Sequence, residues 1–481
     1  MTHAAHVPAD FVSTFRHRFA PLFGRKIGRQ RSEQYLGGLL GGRARRRDVT
    51  SLAGTVDGAT ARALGWLLNK SPWQTRAIVD ALQAYVGDTF GGPDGLFTLN
   101  LDSFVKRGDN AVGVDKQYVD HLDRIQNCQI GVFLAYGAGA KSALVDAALY
   151  LPHSWTENAP RREKADVPTG VEHQPKSALA LELLRNARAA GHLPGRWVTT
   201  WHGEGFEADL RAGLDADGWC YLLPVSTKHR VFAGADAAAT RPVVELLADE
   251  ANGALTVRRV WEGEGRRACW LLGCADALGG GSVAFVSNGP DDAAPELFER
   301  IVATRRETVR MLAARCAGVS LDVYRVRGWD GWHRHVALAL LASAFRACLP
   351  AALGEAAEAD GTVDTVLPFP EPVVRDPADD AASEAPPPAG EADANVIPVP
   401  PVAGPTSYRL VGDPENADDL LAALEEELSA RTNVRGSGLM PEFEGPAEVI
   451  AGANDGQIRG VVRLGDRLVP FLDPDRMLPN R

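Results

Sequence analysis

His202 and Glu204 lie two residues apart, and Asp102 sits on a stretch that reads as a strand. A histidine can serve as a base near neutral pH and a carboxylate can orient it, so these three form a candidate polar site. The plainer reading, three surface loop residues, is preferred. Arg43, Arg45, Arg46 and Arg47 form a basic knot between two helical stretches. Such a knot suits phosphate contact, against the plainer reading of a solvated loop. Cys269 and Cys274 are five apart but have no neighbouring His or Cys to complete a zinc site. Trp329, Trp332, His333 and His335 head an apolar helix. The aromatics there read as core anchors and the histidines as local caps. Gly37-Gly38 and Gly41-Gly42 follow no strand and precede no GK[ST], so they are not a phosphate loop.

The elements that must position these groups follow from the spacing of apolar residues. Residues 9 to 90 carry them three and four apart, in YLGGLLG, TARALGWLLNKS and PWQTRAIVDALQAYVGDTF, which predicts helices. Ser71-Pro72 reads as a helix start, with Pro at the first helical position. The texture changes at Gly91-Gly92-Pro93. Strands are then predicted at LFTL, QIGVFLAY, SALVDAALYL, RWVTT and CYLLPV, with helices over 177–190 and 205–216. That alternation implies a mixed α/β sheet. Residues 226 to 288 read as a β-rich insertion, and helices return at 295–317 and 335–347, the last apolar on several sides and so buried. Eleven prolines between 368 and 405 mark a linker. Beyond it, a helix is expected over 418–430 and a hairpin around Gly465-Asp466.

The expected organisation is a helical, DNA-binding-like domain at 1–90, and a sheet core at 91–225 interrupted by the insertion at 226–288. Closing helices follow at 289–360, a Pro-rich acidic linker at 361–405 and a small acidic binding domain at 406–481. The whole chain has 51 basic and 62 acidic residues, net charge -11, which excludes a uniformly basic nucleic-acid coat. That figure hides an asymmetry. Residues 361 to 481 are net -13, the rest is net +2, and the first 50 residues are net +7. No apolar run of 18 residues occurs, so no membrane span is expected. The N-terminus does not read as a signal peptide, and six cysteines without a CxxC read as reduced thiols of a cytoplasmic protein.

Several long stretches, in order, carry a resemblance. They are GPDGLFTLNLDSFVKRGDNAVGVDKQY, RIQNCQIGVFLAYGAG, ALYLPHSWTENAPRR, RWVTTWHGEG, SNGP and YRVRGWDGWHRHVALALLASAFRA. With FRHRFAPLFGRKIGRQRSEQYLGGLL at the start, residues 11 to 350 resemble the DDE-class transposases of insertion-sequence family 701. The resemblance implies an RNase H-like mixed sheet with a β-rich insertion before the last catalytic helix. It also implies phosphoryl transfer on DNA by two divalent metals held by three acidic side chains. Hard cations of this kind ask for carboxylates and water.

The three acidic positions, taken one by one, carry no acid. The family pattern LVLDETGFLKKG aligns with FTLNLDSFVKRG and puts Asn100 at the first acid. WVTADEVYG aligns with WVTTWHGEG and puts Trp201 at the second. In the helical pattern Y-x2-R-x3-E-x6-K, Arg305 matches the Arg, Val302 the Tyr, Val309 the Glu and Cys316 the Lys. Asn100 retains one neutral carbonyl oxygen, Trp201 only an N–H donor, and Val309 neither. No metal or other cofactor is therefore expected. The function expected is that of a catalytically degenerate, transposase-derived binding or regulatory factor, with DNA bound through the N-terminal domain or protein through the C-terminal one. The alternative is a new enzyme activity in the same cleft, using Asp102, His202, Glu204 or Arg305. The tail DGQIRGVVRLGDRLVPFLDPDRML weakly resembles the last strands of CheW-like adaptor domains, which fits a protein-binding role.

Overall fold

Apolar residues at three- and four-residue spacing fold the first ninety residues into α1 (Ala9–Phe19), a 3-10 turn (Ala20–Phe23), α2 (Lys26–Leu40), α3 (Val49–Ala53), α4 (Ala61–Asn69) and α5 (Thr75–Phe90). The computed structural model describes residues 9–41, 48–119, 122, 124–201, 208–226, 228–247, 255–275, 282–318 and 324–349, and three strands within 447–471. Two of the helix starts are capped by their own sequence. Asp48 accepts from the Ser51 amide at 3.0 Å, and Thr60 from the Ala63 amide at 3.2 Å. The start expected at Ser71-Pro72 is not used, because α5 begins at Thr75. Residues 71–74 instead seat Trp73, which is buried and donates its indole N–H to the Leu67 carbonyl at the end of α4.

The sheet begins with β1 (Leu96–Val105), β2 (Asp115–Val119), β3 (Arg124–Ala138) and β4 (Lys141–Leu149). Short helices α6 (His153–Thr156) and α7 (Ala159–Lys164) lead to α8 (Lys176–Ala190), β5 (Trp197–Thr200), α9 (Ala208–Ala216) and β6 (Cys220–Val225). β3 runs antiparallel to β1, from Leu96 opposite Gly137 to Val105 opposite Cys128. β4 runs antiparallel to β3, whereas β5 is parallel to β1 and β6 parallel to β5. The order β4-β3-β1-β5-β6, with only β3 reversed, is that of an RNase H-like sheet. β2 pairs with the start of β3, at residues 124–128.

Residues 226–288 are β-rich, as expected. They hold β7 (Arg230–Val231), β8 (Arg241–Pro242), α10 (Val243–Leu247), β9 (Thr256–Glu262), β10 (Arg267–Ala275) and β11 (Ser282–Ser287). Only β7 and β8 form a sheet of their own. β11 pairs with β6, and β10 and β9 follow, so the central sheet grows to nine strands. Two long helices close this unit, α11 (Pro295–Gly318) and α12 (Trp329–Ala347).

α12 is buried on almost every side, and it joins helices to sheet. Phe345 packs against Phe11 and Phe15, with ring centroids 5.2 and 5.0 Å away. Arg346 donates to the Leu40 carbonyl at the end of α2, and Arg334 to the Leu68 carbonyl near the end of α4. Those carbonyls have no partner within their own helices, so α12 caps both. Each large apolar side chain it buries contributes about 1.5–3 kcal/mol.

The chain divides into two compact units, Met1–Asp376 and Pro377–Arg481. In the second, β12 (Ala447–Asn454), β13 (Gln457–Leu464) and β14 (Arg467–Phe471) form an antiparallel sheet. Leu464 pairs with Arg467 across the expected hairpin. β12 was not expected. The Pro-rich linker and the helix expected over 418–430 lie outside the described residues. Among the described residues, no helix is long and apolar enough to cross a membrane.

Candidate functional site

In an open α/β sheet, ligands bind beyond the carboxyl ends of the strands where neighbouring connections diverge. Here that point lies between β1, whose chain runs on to the β2–β4 side, and β5, whose chain runs on to β6. Asn100 stands on β1, opposite Phe133 of β3. It is 2% exposed, and its Nδ2 has no hydrogen-bond partner among the described residues. Asp102 lies two residues on along the same strand, on the same face and half-buried. Trp201 follows β5 directly. Its amide donates to the Leu99 carbonyl at 2.9 Å, which continues the parallel ladder, and its indole packs against the main core.

α11 covers this face. A Cβ on Gly137 would come within 2.3 Å of the Thr308 hydroxyl, so helix and strand touch through the glycine. Arg305, buried on the same helix, ties α11 to the end of β5. Its Nε donates to the Thr199 hydroxyl at 3.2 Å, and its Nη2 to the carbonyls of Thr200 at 3.2 Å and Trp201 at 2.8 Å. The guanidinium also stands 4.7 Å from the ring centroid of Phe285 on β11. Val309 is one helical turn further on and is 2% exposed. It is not a member of the core cluster that Trp201 packs against. Glu307 on this helix points outward, paired with Arg310.

The structure thus brings Asn100, Asp102, Trp201 and Arg305 to one end of the parallel strands, with Val309 on the covering helix. Asn100, Trp201 and Val309 together offer one neutral carbonyl oxygen, a donor set that does not fit a pair of hard divalent ions. Among the described residues, no three His, Cys, Asp or Glu are grouped to hold a metal ion. His202, Glu204, Arg43, Arg45, Arg46 and Arg47 lie outside the described residues, as does the side chain of Cys316. Cys269 and Cys274 are buried thiols that form no disulfide among the described residues. Trp332 is a core residue and His333 bonds locally to the Trp329 carbonyl, as expected. His335 departs from the expected local cap. Its Nδ1 meets the Tyr35 hydroxyl of α2 at 2.8 Å, and burial lowers its pKa to about 3, helped by the charge of Lys106.

Two polar clusters were not visible in the sequence. Glu262, at the end of β9, accepts from His229 at 2.5 Å, from the guanidinium of Arg211 and from the Cys269 thiol at 3.3 Å. Burial alone would raise its pKa, but these hydrogen bonds and the Arg211 charge outweigh that and hold it at about 2. On β4, buried Asp146 accepts from Arg76 of α5 at 2.8 Å. Burial raises its pKa against the pull of that arginine.

Residues 18–245 match the model of a family described as DDE superfamily endonuclease. No curated protein matches the chain. Among solved structures, the cryo-EM structure of the piggyBac transposase synaptic complex with hairpin DNA overlaps at TM-score 0.35 and 11% identity, covering 73% of each chain. The family match over 18–245, just under half of the chain, and the RNase H-like order of the sheet point together to a distant relationship with the DDE superfamily.

Proposed function

We propose that this protein is a transposase-derived factor that binds DNA or a protein partner and no longer cuts DNA. One observation carries the reading. The three positions where the alignment puts catalytic acids hold Asn100, Trp201 and Val309, none of them an acid. A site that activates a nucleophile with two metals needs negative oxygens to hold them. The acidic end of the chain, net -13 over residues 361–481, supports the protein-partner part of the reading.

The test is supercoiled plasmid incubated with the full chain and Mg²⁺ or Mn²⁺, beside calorimetry with either ion. The expected result is no nicking and no tight binding. Metal-dependent nicking that Asp102→Asn abolishes, or a micromolar dissociation constant for either ion, would overturn the proposal. One observation favours a second reading, a new activity at this end of the parallel strands. It is the buried Asn100 amide, whose Nδ2 has no partner among the described residues and is a donor that a small ligand reaching it would satisfy.

A further inference from the structure

One surface of the helical region combines a half-buried cation, Arg31, and an exposed one, Arg62, with exposed apolar groups. Ile27 is 51% exposed and Trp66 39%, both unusual for residues of their kind in a folded unit. Ile27 and Arg31 are one turn apart on α2, and Arg62 and Trp66 one turn apart on α4. The two helices meet here, because the Arg31 guanidinium lies 4.7 Å from the centroid of the Trp66 ring. The result is a ribbon, Ile27–Arg31–Trp66–Arg62, in which cation and apolar group alternate. Lys26, exposed next to Ile27, adds a further cation at the start of α2, and Arg25 and Arg29 are exposed on its other flank. No acidic residue stands in the first turn of α2, and α4 has none at all. Asp57 is the exposed acid nearby, its carbonyl accepting from Gln34 of α2.

We infer that this ribbon is a sequence-independent nucleic-acid surface, with the cations on phosphates and Trp66 as a platform for a base. The inference rests on the DNA-binding part of the proposed function and names the residues that would carry it. Phosphate contact needs a row of cations, and stacking needs an exposed ring beside them. The ribbon supplies both, and the stacked guanidinium holds the indole plane in place. An anionic membrane fits less well. The apolar face of α2, with Tyr35, Leu36 and Leu39, is buried in the core, which leaves Ile27 and Trp66 too little area to enter a bilayer. Arg62 and Trp66 are exposed and lie outside the core clusters, so variants there should stay folded.

The experiment is fluorescence anisotropy on the full chain with a labelled 20-nucleotide single strand, a 20-base-pair duplex of unrelated sequence, and vesicles containing phosphatidylserine. The wild type should bind both nucleic acids, more weakly as salt rises. The double variant Arg31→Gln/Arg62→Gln should lose about tenfold in affinity at low salt, and its salt slope should fall by about two. Trp66→Ala should lose about tenfold on the single strand and little on the duplex. A thermal melt of each variant confirms that it is folded. If the wild type binds nucleic acid and the folded variants bind equally well, this surface is wrong and the proposed function stands. If the wild type binds no nucleic acid, the DNA-binding part of the proposed function fails with it. If the variants lose vesicle binding but not nucleic acid, the ribbon is a membrane surface and the inference is overturned.

Discussion

A carboxylate placed at Val309 would enter a site only 2% exposed, one turn beyond a guanidinium already engaged by three oxygens. Burying an ionised group there costs several kcal/mol unless it protonates or the helix shifts. Val309→Glu is therefore expected to lose about 2–4 kcal/mol of stability and to restore no cleavage. A thermal melt checks the first part, and an unchanged midpoint would mean that the position is open to water. Glu262 gives a second expectation, in pH. Its pKa lies at about 2 in the folded protein against an ordinary 4.5, so the stabilisation it brings is full above about pH 4.5 and is lost as pH falls toward 2. Glu262→Gln should then cost about 2–3 kcal/mol at pH 7 in urea unfolding, and the gap to wild type should close in acid. A gap that persists at pH 2 would show that the cluster holds through packing and not through charge. Neither cluster could be read from the sequence. His229 and Arg211 stand 33 and 51 residues from Glu262, and no spacing rule links them. Arg305 could be located by counting along a helix signature, but its task could not, because its acceptors include backbone carbonyls more than a hundred residues away.

At the scale of elements, α11 lies against β3 through a glycine. Gly137→Ala would push a methyl group to within 2.3 Å of the Thr308 hydroxyl and 3.3 Å of the Thr304 methyl, and both threonines are buried. Overpacking of this kind costs about 1–3 kcal/mol. The expected outcome is a lower urea midpoint, together with faster amide exchange in α11 than in α8. Slower exchange in α11 would mean that the helix gains from the added contact. The strands were largely legible because β1 and β3–β6 are apolar and bounded by Gly, Pro or polar turns. The start of α5 was misread because Ser71-Pro72 looks like a helix opening, yet Trp73 needs a core site and takes that segment with it. β12 was missed although Asn454-Asp455-Gly456 carries a turn signal of the same kind as Gly465-Asp466. The merging of residues 226–288 with the sheet was invisible, since strand content says nothing about which edge a strand joins.

At the scale of the unit Met1–Asp376, one cluster of buried side chains runs from Val12 through the sheet to Leu349. Helices and sheet share it through α12. They are expected to unfold together, so that far-ultraviolet circular dichroism and tryptophan fluorescence report the same midpoint on heating. Two separated transitions for these probes would show that the helical region holds itself up alone. Amides in the middle of α12 should be among the slowest to exchange, because opening them opens the whole unit. The charge pattern was fully legible at this scale, and so was the change from helices to sheet near Gly91-Gly92-Pro93.

Among the described helices of this unit α12 is the last to leave the ribosome, yet it caps α2 and α4 and packs against Phe11. During synthesis, the first helices must wait for some three hundred residues before their ends are covered. The nascent chain therefore carries a sticky, half-built head through most of its translation. It is a natural client for chaperones until α12 emerges.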